Sequence, residues 1–243
     1  THYSTYLNNS RIDKTFFLKP VSAGEIQEII HSLDLNKTLG PNSIPIFILK
    51  LCSAFFSNIL SIIINLCFTS GVFPDLCKTA KVIPVFKKED PLLCQNYRPI
   101  SLLPIYSKII EKLMYSRMYD FIDKNSILNK KQFGFRGNHS TEHALISLTE
   151  SIKNHLDRNY KVAGIFIDLE KAFDTVNHKI LCDKLTYYGF RGKINKLISS
   201  FLSNRTQYVS INGYDSKLLP ITCGVPQGST LGPLLFLLYI NDL

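Results

Sequence analysis

Strand-length apolar runs separated by helical-period segments confine this chain to an α+β fold, because such strands can share a sheet only if the intervening helices pack on it. Ser22 with Glu25 forms a capping box, and Ile26, Ile29, Ile30 and Leu33 follow at helical spacing, which predicts a short helix to about Leu35, ahead of Gly40-Pro41. Pro45 suits the first turn of a long apolar helix ending near Ser70-Gly71, with Pro74 beyond it. Residues 80–86 read as a strand that Pro84 confines to an edge or a bulge. After QNYRPISLLP, a helix is predicted over about 105–122, and another, capped by Ser140 or Thr141, to about Asp157. Residues 161–167 (KVAGIFI) have strand length and finish in Asp168. Helices follow over about 176–188 and 193–203, then a hairpin of QYVSIN and KLLPITC turning at Asn212-Gly213, then GVPQGSTLGP leading into an apolar helix, LLFLLYINDL.

The 243 residues are 45% hydrophobic, enough for a packed core in one large domain or two small ones, and they contain no internal repeat. Six cysteines without a CxxC or CxxH pair exclude a zinc ribbon and read as reduced, mostly buried thiols. The opening THYSTYLNNSRIDK has no secretory pattern; it reads as the interior of a longer chain and carries the expectation of an intracellular protein, nuclear or cytoplasmic. The most membrane-like stretch, residues 44–68, is interrupted by Pro45, Lys50, Ser53, Ser57, Asn58, Ser61 and Asn65, so it is expected as a buried core helix and no membrane as a partner.

The formal charge of +9 is concentrated: residues 76–138 hold 12 basic side chains against 5 acidic ones. Such a stretch suits phosphates, although a solvated basic face explains the composition equally well. Asp168 leaves an apolar strand straight into a loop, where a hard oxygen ligand on rigid scaffold can hold Mg²⁺ against substrate phosphates. A strand-end carboxylate is also a common turn former. Asp174 is expected to cap the helix near Val176, not to act as a second ligand, and Glu170 is expected in solvent. In GVPQGSTLGP, Gly224, Gly228 and Gly232 permit close backbone approach and Gln227, Ser229 and Thr230 supply polar groups, but the phosphate-loop spacing GxxxxGK[ST] is absent.

Five blocks carry a family resemblance. FIDLEKAFDTVNHKIL and GVPQGSTLGPLLFLLYINDL are similar to two successive catalytic-core motifs of the reverse transcriptases of non-LTR (LINE-type) retrotransposons. NYRPISLLPIYSKIIEKLM resembles their fingers motif, QFGFRGNHSTEHAL the one after it, and LKPVSAGEIQEIIHSLDLNKTLGPNSIPIFILK their upstream extension. The order matches too, over about residues 18–243.

The resemblance implies a right-handed polymerase of fingers and partial palm, copying an RNA template from a DNA primer with dNTPs by two-metal nucleotidyl transfer. By residue, Asp168 would ligate the two Mg²⁺ ions, for which Mn²⁺ can substitute, with the Leu169 carbonyl as a further contact. Phe173 would be the gate under the incoming sugar, excluding a 2′-hydroxyl. Gln227 and Gly228 would line the nucleotide pocket, Lys81, Lys87 and Arg98 would neutralise the triphosphate, and Arg136 would hold the template, with Phe133 and Phe135 packing. The implied division is a linker over 1–20, extension and fingers over 21–160, and palm over 161–243 with a fingers-side insertion at about 189–220. Family members follow INDL with a hairpin bearing an aromatic-Ala-Asp-Asp tetrad, and the sequence ends at Leu243 before it. The expectation is a core truncated before that hairpin and the thumb, inactive alone, with the apolar residues of 231–243 exposed. The competing reading is a catalytically dead nucleic-acid-binding fragment of a decayed or host-retained element.

Overall fold

Ser22 starts the first helix as its pattern requires, its hydroxyl accepting from the Glu25 amide at 3.2 Å. In this computed structural model, which describes residues 12–242, that helix is α1 (Ala23–His31). Glu25 does not complete the capping box; its carboxylate takes two hydrogen bonds from Arg117, at 2.6 and 2.9 Å, which hold its pKa below the usual carboxylate range. Arg117 also donates to the Lys19 and Pro20 carbonyls, so one of the counted basic residues serves to clamp the N-terminal segment.

The long helix expected from Pro45 is broken at Cys52 into α2 (Ile46–Leu51) and α3 (Ser53–Ser70), and Gly71 ends α3. By length and hydropathy alone α3 could cross a membrane. It does act as a core helix along one stripe, where Leu60, Ile64, Cys67 and Phe68 are buried; Phe55, Ile59, Ile62, Ile63 and Leu66 on its other side are exposed. Next come β1 (Thr79–Phe86), β2 (Tyr97–Leu102) and α4 (Ile105–Lys124). After α5 (Thr141–Leu156), α6 (His178–Tyr187) and α7 (Lys193–Leu202), the sheet resumes with β3 (Arg205–Ile211), β4 (Tyr214–Asp215) and β5 (Leu219–Ile221), and α8 (Leu231–Ile240) closes the described chain.

The result is a mixed helix and sheet fold whose strand order is β2-β1-β3-β4, with β5 also paired to β3. β1 is central where it pairs β3 in parallel over Thr79–Val82, and an edge beyond that, where Pro84 faces Pro99 of antiparallel β2 and has no neighbour on its other side. A proline without an N–H is tolerated there for that reason. β2 itself was not legible as a strand, because Pro99 and the polar residues around it read as loop. The hairpin turns at Asn212-Gly213 as its residues demand, both at positive φ, 51° and 85°.

Several expectations fail. Residues 12–20 are not a linker: the Phe16 amide bonds the Gly189 carbonyl, Arg191 grips the Asp13 carbonyl and the Thr15 hydroxyl, and Phe16 is buried against Phe121 and Phe190. Residues 1–11 lie outside the described part. Residues 161–167 are not a strand. Among the described residues nothing pairs with them, and Ile165, Phe166 and Ile167 stand 82–89% exposed. β-branched and aromatic residues favour a strand only when a neighbour takes up the backbone groups and one face is covered. The apolar residues of 231–238, expected exposed, are instead the centre of the core: α8 packs on α4 and α6, and Leu231, Leu235 and Leu238 have no exposed surface. The cysteines are free as expected, but only Cys67 and Cys77 are buried, while Cys52, Cys94 and Cys223 are exposed. Burial pushes the Cys77 thiol up to about 12.

Candidate active site

Two segments far apart in sequence are laced together at the site. The Gly224 amide donates to the Val176 carbonyl and the Val225 amide to the Phe173 carbonyl, both at 2.8 Å, while His178 Nε2 meets the Gly224 carbonyl at 2.7 Å. Gly224 sits at φ +84°, and a Cβ there would lie 2.8 Å from the backbone of Phe173 and Asp174, so no larger residue fits the junction. The same loop then meets the sheet. The Ser101 amide of β2 donates to the Gln227 carbonyl at 2.8 Å, and Gly228, at φ +116°, lies so close that a Cβ would fall 2.6 Å from the Ser101 carbonyl oxygen. Gly228→Ala therefore adds backbone strain worth about 2–3 kcal/mol and pushes the loop off β2; a melting temperature equal to the native protein's would contradict this contact.

Asp174 is not the helix cap that its position suggested. Asn177 caps α6, its side-chain oxygen accepting from the Ile180 amide. Asp174 accepts a hydrogen bond from Gln227 Nε2 at 3.0 Å, and that pair closes one wall of a cavity of about 320 Å³ lined also by Pro99, Ser101, Gln207, Pro220 and Cys223. Sequence spacing carried no signal for this partnership beyond the need of an amide for an acceptor.

Phe173 makes two ring contacts. Its ring stacks on Phe236 of α8 with centroids 4.8 Å apart and meets Phe135 nearly at right angles with centroids 5.8 Å apart. Phe135 thus packs, as expected, against the proposed sugar gate, and Phe236 is a support that its place in an apolar helix concealed. Phe133 lies 6.0 Å from the His139 ring.

Asp168 and Leu169 occupy the exposed stretch leading into this turn. No group of three or more His, Cys, Asp or Glu side chains gathers into a metal-ligating cluster among the described residues. With the Asp174 carboxylate committed to Gln227, the donor set offers Asp168 and backbone carbonyls, which is less than two divalent cations need to offset their mutual repulsion. The described residues do not by themselves fit a metal pair.

The basic residues divide. Lys81 is half-buried on β1, and Lys87 and Arg98 are exposed at the far end of the β1–β2 ribbon. The register places Lys81 opposite Leu102 and Arg98 opposite Val85, on the sheet face away from Pro99, Ser101 and Gln207, so these cations do not line the 320 Å³ cavity. Arg136 is a loop clamp: its Nη1 donates to the Asn129 and Gln132 carbonyls beside a cavity of about 190 Å³ lined by Tyr119, Asp123 and Lys130. Lys78, 5% exposed, is paired with Asp75. Lys108 and Lys112 share a stripe of α4, and burial together with the charge of Lys37 lowers the pKa of both.

The turn thus carries an exposed carboxylate and a packed aromatic ring, and it is fastened to a glycine-bearing loop. Residues 86–243 match the reverse transcriptase (RNA-dependent DNA polymerase) family, and the chain belongs to it. It is similar to the RNA-directed DNA polymerase from mobile element jockey of Drosophila melanogaster, 34% identical over 93% of this chain and 25% of the relative. It is similar also to two probable RNA-directed DNA polymerases of that fly: one from transposon BS, at 34% over 93% of this chain and 25% of the relative, and one from transposon X-element, at 30% over 97% and 26%. The chain spans about a quarter of the length of these relatives.

Proposed function

We propose that this chain is the nucleotide-selecting part of a non-LTR retrotransposon reverse transcriptase, which extends a DNA primer on an RNA template. The observation that carries the reading is the lacing of the Asp168–His178 segment to the Gly224–Gly228 loop, which brings Phe173 and Gln227 into one site. In the reaction the primer 3′-hydroxyl oxygen bonds to the α-phosphorus of the dNTP while the bond to pyrophosphate breaks, and catalysis is mostly positioning and charge stabilisation. With carboxylates beyond those of the described residues, a bound Mg²⁺ or Mn²⁺ would supply that charge stabilisation.

The residues divide the remaining work. Asp168, exposed and free of other bonds among the described residues, offers a ligand oxygen beside the Leu169 carbonyl, and further carboxylates are required to complete the site. Phe173, in ring contact with Phe236 and Phe135, gives a packed floor under the incoming sugar. The Gln227 amide, oriented by Asp174, and the Gly228 backbone shape the pocket wall. Lys87 and Arg98 at the ribbon end, with Lys81 nearer the sheet centre, supply the positive charge that neutralises the triphosphate in this reading. Arg136 shapes the loop at which template enters. In these terms residues 21–160 are extension and fingers, and the Asp168 and Gln227 segments belong to the palm.

Primer extension on an RNA template by the intact polymerase tests the reading, with Phe173→Val as the informative variant. Loss of the aromatic floor is expected to admit ribonucleotides at the expense of sugar discrimination, by about ten- to a hundredfold. Unchanged discrimination would remove Phe173 from the gate, and no extension at all by the native enzyme would sink the function.

A further inference from the structure

The start of α8 carries a cap supplied from a distant part of the chain. Thr230, the residue before the helix, makes no side-chain cap, and the first free amides turn elsewhere: those of Thr230 and Leu231 donate to Glu111 Oε2 of α4 at 2.7 and 3.2 Å. Ser229 takes the next one, its hydroxyl accepting from the Gly232 amide at 2.9 Å while donating to the Pro226 carbonyl. The other oxygen of Glu111 accepts from the Ser107 hydroxyl at 2.7 Å. The carboxyl group has no exposed surface at all, and burial drives its pKa up, against the hydrogen bonds that favour its charge.

A buried positive charge answers it. Arg205 of β3, 1% exposed, donates through Nη1 to the Phe201 carbonyl and lies over the Phe201 ring at 4.9 Å, while its Nε and Nη2 are buried without a hydrogen-bond partner. It is not in direct ion-pair contact with Glu111; burial lowers its pKa, and the charge of Glu111 opposes that shift. Burying an ionised carboxylate costs several kcal/mol, and a hydroxyl or amide would satisfy helix amides at less cost. Accepting from two helix amides through one oxygen and from a hydroxyl through the other, the carboxyl group acts purely as an acceptor, the pattern of its ionised form, and that form matches the positive end of the α8 dipole. Only two residues separate Gln227 from Thr230, so whatever fixes the helix start fixes the loop that lines the nucleotide pocket.

We propose that Glu111, balanced by Arg205, is a positioning residue for nucleotide selection, holding the Gln227–Gly228 loop against β2 through the N-terminus of α8. The inference rests on the reading of that loop as part of the nucleotide pocket. It links three layers of the fold, since Glu111 belongs to α4, Arg205 to the sheet and the capped amides to α8, and it makes the pocket wall depend on a charge that never touches substrate.

The test is dNTP KM, kcat and template–primer affinity of the intact polymerase carrying Glu111→Gln, which keeps the shape and one acceptor but not the charge. KM is expected to rise about tenfold, with kcat changed less than about threefold and template–primer affinity unchanged, since charge-assisted hydrogen bonds are roughly twice as strong as neutral ones. Gln227→Ala is measured beside it. If Gln227→Ala leaves KM untouched, the pocket reading fails; if Gln227→Ala raises KM and Glu111→Gln does not, only the positioning role fails. A parallel loss of KM, kcat and template affinity in Glu111→Gln would make Glu111 a residue of general folding and overturn the proposal. Should that variant not fold, Arg205 decides the matter. Arg205→Met must raise KM and Arg205→Lys must restore it to within about twofold, and equal KM values in the two overturn the proposal.

Discussion

Asp168→Asn in the intact polymerase is expected to lower kcat for primer extension by at least about a hundredfold, with melting temperature and RNA affinity unchanged. The size follows from the charge. A carboxylate that ligates a divalent cation at a phosphoryl-transfer centre contributes several kcal/mol of transition-state stabilisation, and each 1.4 kcal/mol is tenfold in rate. The silence in stability follows from the surroundings, because Asp168 is exposed and makes no hydrogen bond or ion pair among the described residues. Several aspartates in this chain have a structural employment that would confuse such a test: Asp174 receives Gln227, Asp75 pairs Lys78, and Asp242 pairs Lys184. Asp168 has none, so lost activity accompanied by lost folding would point to a different role, and retained extension would remove it from the chemistry. The direction of the RNA-binding control is equally definite. In the proposed reading basic residues and not Asp168 hold the template, so RNA affinity is expected to match the native enzyme's at each salt concentration.

Local chemistry was legible in the sequence where one residue settles the local geometry. Ser22 and Ser140 mark helix starts, Gly71 a helix end, and Asn212-Gly213 a hairpin, because each acts within four residues of its partner; at α6 the cap falls to Asn177 and not to the expected Asp174. Prolines were half legible. Pro84 announced an edge but could not tell that the same strand becomes central two residues earlier, since that depends on β3, more than a hundred residues on. The strand at 161–167 shows the opposite failure, a fitting local pattern with no neighbour to pair it. At the site, Asp168, Phe173, Gln227 and Gly228 stood in recognisable motifs, and the structure brings the last three into one assembly. What holds that assembly was hidden. Asp174 meets Gln227 across 53 residues, Phe236 supports Phe173 across more than sixty, and Glu111 reaches Thr230 across 119. None of these leaves a periodicity, and a buried carboxylate inside KIIEKL looks in sequence like one more charge on a solvated helix.

The same long-range logic governs stability at the other end of α8, and there the largest loss of folding free energy is expected. Lys184 of α6, 7% exposed, sends its ammonium to the Tyr239 carbonyl at 2.6 Å and to the carboxylate of Asp242, itself nearly inaccessible. Beside this pair Asn241 accepts from the Asn129 amide and donates to the Ile127 carbonyl, so the end of α8 is tied by side chains to both α6 and the loop after α4. Lys184→Met keeps the aliphatic stem but leaves a buried carboxylate and a helix-end carbonyl unanswered, which costs about 3–5 kcal/mol. Such a loss is a large part of the total stability of a domain, commonly 5–15 kcal/mol. The double variant Lys184→Met with Asp242→Leu removes both charges together and is expected to recover most of the loss, since an apolar pair in place of a buried ion pair is close to neutral. Denaturant titration of the two single variants and the double variant gives the coupling directly. Additive losses would mean that the two charges do not act as a pair; recovery in the double variant would show that Lys184 and Asp242 are coupled, each answering the charge that the other buries.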